Sequence, residues 1–146
     1  MPITQTIKGN ILKTNAPFIA HGCNCLGTMG AGLALSISTR YPEVYASYRQ
    51  EFNAGKLRLG NIIPVTTSDG KYTVLNCLTQ RFIGTYTRQL NYEALAGVLD
   101  KINQTYPEET IAFPQIGCGL AGGNWAVVEK MIDQLLVKAK AIIYIL

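Results

Sequence analysis

The chain is poor in the residues from which metal centres and disulfide scaffolds are built. It has one histidine, His21, and its only aspartates, Asp69, Asp100 and Asp133, lie far apart in sequence. Magnesium-type sites need several carboxylates at one place, so metal-dependent phosphoryl transfer has no evident ligand set. The four cysteines, Cys23, Cys25, Cys77 and Cys118, include no C-x-x-C pair. His21, Cys23 and Cys25 form H-x-C-x-C, which is not a usual zinc spacing, so neither a disulfide framework nor a bound metal is expected. No G-x-x-x-x-G-K-[ST] is present, which excludes a P-loop. There is no apolar run near the ~18 residues of a membrane span, and MPITQTIKGN lacks the charged-then-apolar pattern of a secretory signal. A cytoplasmic protein with no membrane partner is expected.

What is present is a 146-residue chain with 48% hydrophobic and 15% charged residues, enough to bury a core as one domain over 1–146. The net charge of +4 is spread along the chain, as ordinary solubility charge is, with a slight bias toward anionic partners. Short apolar segments at Ile3 to Ile7 and Phe18 to Ala20 predict an initial strand pair. Gly30 to Phe52 reads as helical, broken at Tyr41, with Pro42 opening a second helix. Gly60 to Thr66 and Tyr72 to Leu78, around Ser68, Asp69 and Gly70, predict a hairpin.

The spacing of Ala94, Leu95, Val98, Leu99 and Ile102 predicts a helix between Leu90 and Thr105, with Asn91 as its N-cap. A strand follows at Thr110 to Phe113. Next comes a helix with a buried stripe of Val128, Met131, Ile132, Leu135 and Leu136, and then a last strand in AIIYIL. The alternation implies an α/β fold: three layers, α-β-α, with a mixed, mostly parallel sheet of about six or seven strands and helices on both faces.

Two glycine-rich loops stand after predicted strands and run into helices. The first is HGCNCLGTMGAGLA, His21 to Ala34, in which Gly27, Gly30 and Gly32 free the backbone to take positive φ. The second, IGCGLAGGNW, holds Gly117, Gly119 and Gly122 as G-x-G-x-x-G. In a dinucleotide-binding unit that turn opens the chain and an acidic residue follows about 20 positions later. Here it comes near the end, and no acidic residue fills that role. Two helix N-termini converging on one cleft suit a diphosphate, held by backbone dipoles in place of lysine.

The order KGNIL, HGCNCLGTMGAGLA, GNIIPV, LNYEAL, FPQIGCGLAGGNW and final YIL resembles the macrodomain, an ADP-ribose-binding module, over essentially the whole chain. It is most similar to the branch that holds ADP-ribose 1″-phosphate phosphatases, terminal ADP-ribose glycohydrolases and the antitoxin macrodomains that remove ADP-ribose from DNA. The resemblance implies ADP-ribose or ADP-ribose 1″-phosphate as partner, an ADP-ribosylated macromolecule as a further one, no cofactor, and a monomer. It places Asn10 and Ile11 at the adenine, Asn10 standing where macrodomains commonly carry Asp, with Tyr144 and Leu146 flanking the base. Asn24 falls to the distal ribose, and Thr79, Gln80 and the loop Gly84 to Thr87 are candidates for contacting the distal phosphate. The backbone of Met29, Gly30, Ala31 and Gly32, and that of Gly117, Cys118, Gly119, Leu120, Ala121 and Gly122, falls to the diphosphate. Trp125 reads as a packing anchor.

Catalysis follows from the same comparison. Glycohydrolases of this branch use a lysine that aligns with Gln80, and one also uses an aspartate that aligns with Ala121. Neither Gln80 nor Arg81 can replace an amine nucleophile. His21 is left as general acid/base for metal-independent hydrolysis of the 1″-phosphate. The alternatives are a non-catalytic module that reads or sequesters ADP-ribose, and a hydrolase acting on a nucleic-acid or protein ADP-ribose linkage.

Overall fold

The structure is a computed structural model and describes residues 2–146. In chain order the elements are β1 (Ile3–Lys8), a 3-10 turn (Ile11–Lys13), β2 (Phe18–Cys23), α1 (Gly32–Arg40), α2 (Pro42–Asn53), β3 (Ile62–Thr66), β4 (Thr73–Leu78), α3 (Tyr92–Thr105), β5 (Thr110–Phe113), α4 (Trp125–Leu135) and β6 (Lys140–Ile145). The strands form one six-stranded sheet in the order β1-β6-β5-β2-β4-β3. All pairings are parallel except β3 with β4, the predicted hairpin. β1 and β2 are therefore not partners, and the expected initial pair is corrected: β1 pairs with β6, placing strands from the two ends of the chain side by side.

Alternation along each strand sends neighbouring residues to opposite faces. In β2 and β4, Ile19, Cys23, Val74 and Leu78 enter a core with Ile37, Val44 and Tyr48 of α1 and α2. Ala20, Leu75 and Cys77 enter the other core, with Leu95, Val98 and Leu99 of α3 and Val128 and Ile132 of α4. The result is the three-layer α-β-α arrangement.

Local chemistry sets the helix ends. Tyr41, with φ -131 and ψ 80, closes α1 and caps α2 in a non-helical conformation, and Pro42 takes the first turn of α2, where no intrahelical donor is lost. The Asn91 side chain accepts from Ala94 N at 2.9 Å to open α3, and Asn124 accepts from Ala126 N at 2.9 Å to open α4. The expected stripe on α4 is narrower than predicted: Val128, Ile132 and Leu136 are fully buried, but Leu135 is 42% exposed. Its angular position falls within the stripe, about 20° from Val128 on a helix of ~100° per residue, but it is the last residue of α4, where the helix ends. No helix among the described residues is long and apolar enough to cross a membrane.

Candidate functional site

Because β1, β6, β5, β2 and β4 run parallel, their carboxyl ends share one edge of the sheet. Asn10 and Ile11 follow β1, and Tyr144 to Leu146 end β6. The second glycine loop follows β5, the first follows β2, and Thr79 and Gln80 follow β4. The sequence-predicted residues thus form a single rim in that spatial order. β5 and β2 are neighbours at its centre, yet the helix after β2 lies on one face and the helix after β5 on the other. That is a switch point, where open α/β sheets form a crevice.

The first loop is shaped by side chains. Asn24 Oδ1 accepts from Leu26 N at 2.9 Å, while its Nδ2 donates to Thr28 O at 3.0 Å. Tyr48 of α2 donates its hydroxyl to Asn24 O at 2.7 Å and accepts from Gly27 N at 3.1 Å. Arg49 Nη1 donates to Gly27 O at 3.0 Å. Burial pushes the Tyr48 hydroxyl well above its usual range, so it stays protonated and remains a donor. The loop then enters α1 through Gly32, whose φ of 58 lies in the left-handed region. Gly30 departs from expectation: its φ is not positive and a Cβ there would meet nothing within 4 Å. The amides from Met29 to Ala34 donate to no protein group among the described residues, and α1 has no side-chain cap.

The second loop is shaped by backbone. Gly123 N donates to Gly117 O at 2.8 Å, and Ala121 O accepts from Gln89 N at 2.8 Å and Leu90 N at 3.1 Å. A Cβ on Gly123 would sit 2.6 Å from Gly117 O and 2.4 Å from Leu90. The amides of Gly119, Leu120 and Ala121 have no protein acceptor among the described residues. Trp125 is half-buried against the α3/α4 core.

At the β1 end, Asn10 is exposed and its Oδ1 accepts from Leu12 N at 2.9 Å. Ile11 is buried, Tyr144 is half-buried opposite Ile7, and Leu146 is fully exposed. At the β4 end, Gln80 Nε2 donates to Phe82 O at 2.7 Å. Thr79 is fully buried and its Oγ1 has no partner among the described residues. A Cβ on Gly22 would come 2.9 Å from that oxygen.

His21 stands apart from the open rim. β2 runs on through it to Cys23, so the residue is in the sheet and not at a strand end. It opposes Asn76 of β4, with Nε2 2.6 Å from Asn76 Oδ1, and it is 1% exposed. Burial lowers its pKa from 6.5 to about 4, against the opposing pull of the Asn76 bond, so the ring is neutral at neutral pH. Cys23 Sγ lies 3.6 Å from Nε2. Burial raises the Cys23 and Cys25 thiols and takes Cys118 to about 11, so the site holds no ready thiolate.

Sequence reasoning missed the props of these loops. Tyr48 and Arg49 lie in an unremarkable stretch of α2, and Leu90 shows only as a position before a helix. None carries a local signal, because each acts through a contact between distant segments.

The fold and site define a class: an α/β protein with unpaired backbone amides gathered at a switch point. The Macro domain family model matches residues 20–132, and the chain belongs to that family. It is 28% identical over 143 residues to a DNA ADP-ribosyl glycohydrolase of Mycobacterium tuberculosis, covering 93% of this chain and 40% of that protein. The chain thus spans about two fifths of that relative's length. It is 29% identical over 161 residues to an ADP-ribose 1″-phosphate phosphatase of Saccharomyces cerevisiae, covering 88% of this chain and 90% of that one. The structure of Thermosipho africanus DarTG in complex with ADP-ribose shares the fold, with a TM-score of 0.84 at 20% identity over 100% of this chain and 43% of that one.

Proposed function

We propose that residues 1–146 act as one ADP-ribose-binding macrodomain that hydrolyses ADP-ribose 1″-phosphate to ADP-ribose and inorganic phosphate, without metal or cofactor, as a cytoplasmic monomer. The observation that carries the reading is the pairing of β2 with β5, which sets two loops of unpaired amides side by side. Such amides hold a diphosphate by oriented dipoles. Adenine then lies toward Asn10, Ile11 and the end of β6, and the distal ribose lies over Asn24, toward Thr79 and Gln80. The length of the relatives named as phosphatases, matched nearly end to end, supports the same reaction class.

In this reading water attacks phosphorus, the bond from phosphorus to the 1″ oxygen breaks, and that oxygen leaves as a hydroxyl after taking a proton. His21, the one imidazole and neutral at neutral pH, is in this reading the base that takes a proton from the attacking water and passes it to that oxygen. Its burial requires the surroundings of the ring to open when the ligand enters. A second reading is favoured by that same burial: a module that binds ADP-ribose without turnover. A neutral ring that is 1% exposed and bonded to Asn76 is a structural histidine by geometry.

Phosphate release from ADP-ribose 1″-phosphate by wild type and His21→Gln, beside calorimetry with ADP-ribose, separates the two. The enzyme reading expects release by wild type and a loss of about 100-fold or more in the variant, with ADP-ribose binding kept. Binding without release establishes the reader. Equal release by the variant removes His21 from the mechanism but not the reaction, and absence of ADP-ribose binding overturns both readings.

A further inference from the structure

A neutral imidazole has two forms, with its proton on Nδ1 or on Nε2, and the groups around it choose between them. In His21, Nε2 lies 2.6 Å from Asn76 Oδ1, because the β2/β4 register sets the two residues opposite each other. An amide oxygen only accepts, so the ring donates and Nε2 carries the proton. The thiol of Cys23 supports this orientation of the amide. Its Sγ is 3.8 Å from the same oxygen, and turning the amide over would set a second donor, Nδ2, against it. The other ring nitrogen, Nδ1, is left as the acceptor. Its one polar neighbour among the described residues is Cys23 Sγ at 3.9 Å, a weak contact at that length.

Asn76 fills its place in the sheet at a cost to stability. Its Nδ2 is buried without a partner among the described residues, while its Oδ1 serves the ring. A half-satisfied buried amide calls for a reason other than packing. Charge does not supply one. The pKa of the ring is moved by burial and by the Asn76 bond, and no charged side chain acts on it. The titratable groups packed about it are Cys23 on the same strand, Tyr48 of α2 in the same core, and Cys77, whose thiol meets the His21 backbone from the opposite face. Burial raises all three, so each stays protonated and neutral. What Asn76 supplies is the orientation of the ring.

We propose that Asn76 is a positioning residue: its Oδ1 holds His21 as the Nε2–H tautomer, so that Nδ1 is the nitrogen that takes the proton from the attacking water. This rests on the reading above that His21 is the base. Water gives one proton to Nδ1 while its oxygen bonds to phosphorus, and the bond from phosphorus to the 1″ oxygen breaks. The ring is then an imidazolium whose Nε2–H still donates to Asn76. It returns to neutral when Nδ1 passes its proton to the 1″ oxygen.

His21 is the only histidine, so a long-range proton–nitrogen correlation spectrum of protein labelled at histidine shows one ring. At neutral pH wild type is expected to show the proton on Nε2 and a bare Nδ1; a proton on Nδ1 overturns the proposal without any variant. Phosphate release from ADP-ribose 1″-phosphate tests the role. Asn76→Leu removes the acceptor, and kcat should fall at least about 100-fold with KM within about threefold. Asn76→Asp keeps the acceptor, should restore at least about a tenth of the wild-type kcat, and favours the protonated ring. The acid limb of its pH profile should therefore lie at least about one pH unit above that of wild type. Wild-type kcat in Asn76→Leu, or an acid limb unmoved in Asn76→Asp, overturns the positioning role. Absence of release by wild type, with the expected tautomer in the spectrum, sinks the function proposed above and with it the use of Nδ1; release by wild type with the opposite tautomer sinks this inference alone.

Discussion

The two loops that frame the crevice reach similar shapes by different means. The first is propped from outside by polar side chains, with Tyr48, Arg49 and Asn24 holding its carbonyls and amides. The second is propped from within, its backbone folded on itself and on Leu90 so closely that Gly123 has no room for a methyl group. Polar props are adjustable, because a lost hydrogen bond leaves the chain free to move. Backbone packing is not, because a clash has nowhere to go.

The comparison breaks most sharply at Gly123. Gly123→Ala drives a methyl group into Gly117 O and Leu90, and denaturant unfolding should register a loss of about 3 kcal/mol or more with ADP-ribose binding abolished. A wild-type-like midpoint would show that the second loop is as adjustable as the first.

Acid acts from the other side, beneath the first loop. The folded His21 pKa of about 4 lies below the unfolded value of 6.5, so between these limits the unfolded chain binds the extra proton. Stability contributed by the neutral ring is full above pH 6.5 and falls by about 3 kcal/mol as pH drops toward 4. Thermal melts of wild type should move down over that window, and those of His21→Gln should do so less; parallel curves would mean that the ring is not held neutral.

A smaller loss belongs to Tyr48→Phe. The hydroxyl serves Asn24 O and Gly27 N in a buried place, and its removal should cost about 2 kcal/mol. ADP-ribose affinity should fall while the second loop keeps its amide exchange protection. Uniform loss of protection across both loops would show that they are one unit. Gly30→Ala should change stability by no more than about 0.5 kcal/mol, since a Cβ there meets no atom of the protein. Any drop in ADP-ribose affinity then measures how near the ligand comes to this backbone.

Much of the fold is legible in the sequence for simple reasons. Pro42 after Tyr41, Asn91 before an apolar periodic stretch, and Thr110 to Phe113 as a short apolar run each announce an element locally. The partner of β1 is not legible, because nothing in Ile3 to Lys8 distinguishes β2 from β6 as its neighbour. The rim of the site is legible through its glycines, but the burial of His21 is not. Phe18 to Ala20 reads as the strand, and only the facing Asn76, which makes a polar residue welcome in the sheet, allows β2 to continue through the histidine. The orphaned Asn76 Nδ2 shows that the accommodation is incomplete.

The pairing of β2 with β5 also bears on how the molecule is made. Between these two strands the chain forms α1, α2, the β3–β4 hairpin and α3, segments that lie on both faces of the sheet before the two strands meet. Contacts of such sequence separation form slowly, since loop-closure entropy must be met before they give anything back. The crevice exists only where β2 and β5 are paired, so a ligand held there reports that this long-range pairing has formed.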